Sequence, residues 1–123
     1  MLYAVLCYND ENAVSTWTKE EDDACMARLG AVEDTMRAKG KLGPVVRLAN
    51  TSEARTLKKG DRPMMVDGPF AETKEQFLGF FVVDCETMGE AETFAKDLAT
   101  ANPQGGSYEI RPLRIYKPSA VPA

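Results

Sequence analysis

Residues 76–85, "QFLGFFVVDC", constrain the fold more than any other stretch of the chain. Side chains of a strand alternate between two faces, and here both sets are apolar. Phe77, Phe81 and Val83 fall on one side, and Leu78, Phe80 and Val82 on the other. A sheet that holds such a strand must have both faces covered. "LYAVLCY", residues 2–8, reads the same way, so it also belongs inside the sheet.

Two helices are legible between the strands. "TKEE", Thr18 to Glu21, is a capping box, and Cys25, Leu29, Val32 and Met36 recur on one helical face that ends near Gly40. Arg28, Glu33 and Arg37 lie off that stripe and are expected in water. A second box, Thr87 to Glu90, opens a helix with Ala91, Phe94, Ala95 and Leu98 on one side, ending before Asn102-Pro103. "LGPVVRLA" reads as a strand whose Pro44 confines it to an edge or a bulge. A hairpin, Ala54–Leu57 with Met64–Val66, turns at Lys59-Gly60-Asp61, and residues 107–116 form the last strand.

The order is strand, helix, strand, hairpin, long strand, helix, strand. It predicts an α+β fold, a ferredoxin-like βαβ-β-βαβ sandwich with an added hairpin. Two helices cover one face of a sheet. The other face would be an apolar patch larger than monomers tolerate. A second copy is expected to cover it, forming a homodimer, in preference to the loop Asn9–Trp17 and the tail.

With 123 residues the chain fits one domain, taken as 1–117 with a flexible C-terminal tail, 118–123. Its 15 basic and 19 acidic residues give no general attraction to nucleic acid or to a membrane surface. Residues 76–85 also lack the flanking basic groups of an RNA-binding strand. No signal peptide is visible in "MLYAVLCYND", and Cys7, Cys25 and Cys85 read as buried free thiols, so a cytoplasmic location is expected. There is no histidine. Ser-His and Cys-His pairs, histidine-ligated haem and His-containing zinc sites are therefore excluded within one chain. No cofactor or metal is expected.

The candidate chemistry sits around "DGPFAETKE", residues 67–75. Asp67 ends a strand. It reads either as a turn cap, with Gly68 and Pro69 shaping a connector and Phe70 anchored in the core, or as a general base in a cleft. Glu72 and Lys74 exceed what a turn needs, and read as a solvated helical turn or as ligand contacts. Arg47 and Arg55, on predicted strands, are candidates for holding a ligand carboxylate. Tyr8 is a candidate hydroxyl donor, and Trp17 is expected to staple the start of the first helix.

"DGPFAETKEQFLGFFVVD" resembles the signature of DGPF-domain proteins, a branch of the YCII-related family. "LYAVLCYNDE", "TKEE", "GPVVRLANTSEARTL" and "GSYEIRPL" resemble the family in order and spacing, over residues 1 to about 116. The resemblance implies a dimeric α/β barrel of ferredoxin-like subunits. It also implies a small-molecule-binding domain with a regulatory role and a functional link to an extracytoplasmic-function sigma factor. Relatives resembling muconolactone isomerase imply lyase or isomerase chemistry with a His-Asp pair, which this chain cannot supply. A cofactor-free enzyme would have to use Asp67 as base. A structural dimer without a ligand is the third reading.

Overall fold

The computed structural model describes residues 1–121. Residues 122 and 123 of the expected tail, and the side chains of Val14 and Ser15, lie outside the described part. Strand β1 (Leu2–Asn9) is followed by the helices α1 (Glu11–Ser15) and α2 (Lys19–Ala38). Strand β2 (Leu42–Arg47) and a 3-10 turn (Thr51–Glu53) lead to the hairpin of β3 (Arg55–Lys58) and β4 (Met64–Asp67). Strand β5 (Gln76–Asp84), helix α3 (Met88–Ala101) and strand β6 (Ser107–Pro112) complete the described elements. The chain is therefore α+β. Its four-stranded antiparallel sheet has the order β2-β5-β1-β6, compatible with a ferredoxin-like plan.

Both capping boxes form. Thr18 Oγ1 accepts from the Glu21 amide at 3.1 Å, and Thr87 Oγ1 from the Glu90 amide at 3.2 Å. The return contacts differ from the reciprocal box. Glu21 accepts from the Thr18 hydroxyl, and Glu90 accepts from the Glu86 amide. Helix α2 ends in a turn where Gly40 takes φ +70. Helix α3 stops at Ala101, as the Asn102-Pro103 pair dictates.

The core lies between the sheet and the two long helices. Val5 and Val83 from the central strands, and Ala91, Phe94 and Leu98 from α3, are all but fully enclosed. Phe81 meets Phe94 edge to face, ring centroids 5.5 Å apart. Arg28 is exposed, as expected, and its Nε also donates to the Ala101 carbonyl at 2.7 Å. It thereby satisfies a carbonyl at the end of α3 that the helix cannot pair.

Strand β2 lies at the sheet edge and also carries a register shift between Leu42 and Val45, so Pro44 has both of its permitted settings. The alternation expected for β5 breaks at Gly79. Cys7 pairs with Gly79 but Tyr8 pairs with Phe77, so Leu78 is the extra residue of a bulge. Phe77 therefore joins Tyr8 and Phe80 on the face away from the helices, 5.5 and 6.4 Å between ring centroids, while Leu78 lines the helix side. Glycine is required because a Cβ at 79 would stand 2.1 Å from the Val46 carbonyl oxygen.

Three further expectations are corrected. Residues 11–15, read as loop, form α1. The final strand stops at Pro112, not 116, because its partner β1 begins at Leu2; the Leu113 amide reaches the Leu2 carbonyl, and among the described residues no strand lies beyond. Phe70, read as a core anchor, is 85% exposed.

Candidate functional site

The bulge at Gly79, the N-terminal half of α2 and the end of β1 enclose a cavity of about 140 Å³. Its wall is largely apolar, from Cys7 on β1, Cys25, Met26 and Leu29 on α2, Val45 on β2, Phe81 on β5 and Tyr108 on β6. An open groove of about 460 Å³ adjoins it, lined by Glu11, Lys19, Asn50 and others. The two share Trp17, Asp22, Arg47 and Leu78, so cavity and groove form one cleft with an apolar interior and a polar mouth.

Arg47 stands at that mouth because β2 ends there. Its Nη2 lies 3.7 Å from the Asp22 carboxylate, and Nη1 is 3.5 Å from the Met26 sulfur. Neither contact is the short bidentate pairing that a guanidinium fork makes with a carboxylate. The side chain is 56% exposed, so the fork faces both solvent and cleft.

Deeper in, burial pushes the Cys7 thiol up to about 12. Burial raises the Tyr108 hydroxyl to about 12 as well, with the Cys7 and Cys25 thiols adding to the shift and the Asn102 amide opposing it. Burial likewise raises Cys25. At neutral pH these groups are therefore proton donors, not bases. Asn102 lines the cavity, and its buried Oδ1 has no hydrogen-bond partner among the described residues.

The rim is tied together by Glu11 at the start of α1. Its carboxylate accepts from the Thr51 amide at 3.1 Å and from the Thr51 hydroxyl, while its own amide donates to Gln76 Oε1 at 2.9 Å. These bonds hold α1 against the loop after β2 and the start of β5. Trp17 follows, half-buried over the cleft.

Of the residues singled out from the sequence, the cleft takes in Arg47; Tyr8 borders it on β1, but its ring lies on the opposite sheet face against Phe77. The Tyr8 hydroxyl donates to Glu109 Oε1 at 3.3 Å. Asp67 and Arg55 oppose each other across the hairpin, Oδ1 to Nε 3.2 Å, with side chains 92% and 64% exposed. Glu72 and Lys74 lie exposed in the connection to β5, which forms bends and no helical turn. These four are outside the lining of the cleft. Cys7, Cys25, Asp22, Asn102 and Tyr108 escape sequence reasoning because they come from β1, α2, the end of α3 and β6, each explained locally by packing or helix capping. The one pointer is an arginine closing a strand beside an acidic first helical turn.

The model of the YCII-related domain matches residues 1–117. The chain belongs to the YCII-related family. An uncharacterized protein of Rhizobium meliloti (strain 1021) is 55% identical over 124 residues, covering all of both chains. This YCII-related chain has no histidine, so any proton transfer in its cleft would fall to other groups.

Proposed function

We propose that this YCII-related protein is a homodimeric regulatory domain that binds a small organic acid, apolar body inward and anionic group on Arg47. The observation that carries this is a guanidinium without a bidentate partner at the mouth of an apolar cavity. An apolar ligand body gains from leaving water, and one charged hydrogen bond fixes its orientation. Cys7 and Tyr108 stay protonated by burial, which favours binding over proton abstraction. The unpartnered Asn102 Oδ1 suits a ligand that carries a donor.

The homodimer rests on the sheet face opposite the helices. Leu6, Val46 and Phe80 there are half-buried and Phe77 is exposed, a row that a second sheet would cover to form a dimeric α/β barrel.

Trp17 is the single tryptophan and lines the cleft, so its fluorescence reports occupancy directly. Benzoate and hexanoate should each change it saturably, whereas benzamide and hexanamide should not. Arg47→Ala should weaken acid binding about 10- to 100-fold, the range of a charged hydrogen bond, at nearly constant melting temperature. Acids that leave Trp17 unperturbed at millimolar concentration, or that bind the variant equally well, sink the proposal.

A further inference from the structure

The β3–β4 hairpin forms a two-stranded sheet of its own, paired with no strand of the main sheet. A hairpin of that kind is marginal in water without packing. Both of its faces nevertheless carry apolar side chains beside the charged ones. Leu57 opposes Met65 on one and Met64 lies on the other, each about half exposed.

Its charge is equally distinctive. Residues 55–67 carry four basic and two acidic groups, within a chain whose total charge is -4. Arg55 and Asp67 neutralise each other at the base. Among the described residues, Lys58, Lys59 and Arg62 at the tip enter no ion pair. The acidic counterpart on this chain is the start of α2, where Glu20, Glu21 and Asp23 are exposed, with Lys19 pairing Asp23 at 3.5 Å and leaving the turn net acidic. Arm and patch lie on every copy, so one two-fold axis would satisfy both contacts at once.

We infer that the β3–β4 hairpin is an arm that docks on a second copy of this chain, its basic tip against the acidic first turn of that copy's α2. The inference rests on the homodimer of the proposed function and adds to it a contact separate from the sheet face. Because the arm springs from the loop after Arg47, its capture also steadies the mouth of the cleft.

Sedimentation equilibrium of the full chain tests this, with folding of each variant checked by circular dichroism. Reversing the tip (Lys58→Glu, Lys59→Glu, Arg62→Glu) should weaken the dimer at least tenfold. Adding Glu20→Lys, Glu21→Lys and Asp23→Lys should restore it. An unchanged dimer after tip reversal overturns the arm, and loss without rescue overturns its assignment to α2. Phe77→Asp separates the two readings. If it alone dissociates the dimer, the sheet interface stands and the arm falls; if only tip reversal does so, the arm stands and the sheet interface falls. A wild-type monomer whose tip instead binds phosphatidylserine vesicles overturns both.

Discussion

Individual side chains in this protein take their chemistry from where the backbone places them. Cys7 and Cys25 line the cleft and Cys85 is packed in the core, yet burial is the leading cause that raises all three thiols. With Cys7 at about 12, roughly one molecule in 10⁴ carries that thiolate at pH 8. Ellman's reagent should therefore leave Cys7 unlabelled for many minutes in the native protein, and label all three cysteines at once in guanidinium. Fast native labelling of Cys7 would show that the cleft is wetter than its lining implies. Arg47 is the opposite case, an exposed cation beside an apolar chamber. The same residue type at 55 sits on an exposed arm and meets Asp67 across two strands, a pairing worth at most about 1 kcal/mol.

At the scale of the element, the second capping box joins helix, strand and loop. Thr87 caps α3, while Glu90 accepts from the Glu86 amide and from Lys41 just before β2. Thr87→Ala should cost about 1 kcal/mol, read as a lower midpoint in urea. The Lys41 hydrogen bond is the leading cause that lowers Glu90, and the Glu90 bond likewise raises Lys41. The carboxylate's stabilisation is present above its unfolded range and lost as pH falls through its lowered folded value. That of Lys41 is present below its unfolded range and lost as pH rises through its raised one. Melting curves of wild type and Glu90→Gln should differ at pH 7 and converge towards pH 3. A gap of the same size at pH 7 and pH 3 would show that the pair contributes nothing through its charge. Strand β5 shows how little an element's own pattern can say. Its alternation holds from Phe80 to Val83, then fails where β2 comes within Cβ distance of Gly79.

Across the whole molecule, the unbalanced surfaces are the apolar sheet face and the free hairpin. Their burial in a dimer would make stability depend on concentration, because association stabilises only the folded state. The melting temperature should rise by several degrees between about 1 and 100 μM chain, and light scattering should give about twice 13.5 kDa. A constant melting temperature with a mass near 13.5 kDa would show that this face is tolerated in water.

The sequence alone determined the two long helices, the central strands, the edge position of β2 and the hairpin, to within a residue or two except at the final strand; the short helix α1 was not legible in it. Capping boxes and side-chain periodicity act within a few residues of one another, so they are written locally. The motif at 67–75 identified the family but not the cleft. Tertiary structure alone decided the turn of Phe77 away from the helices, the exposure of Phe70 and the joining of Arg47 to Cys7, Cys25 and Tyr108. Those depend on backbone approach between strands distant in the chain, and no single segment carries a trace of its partner.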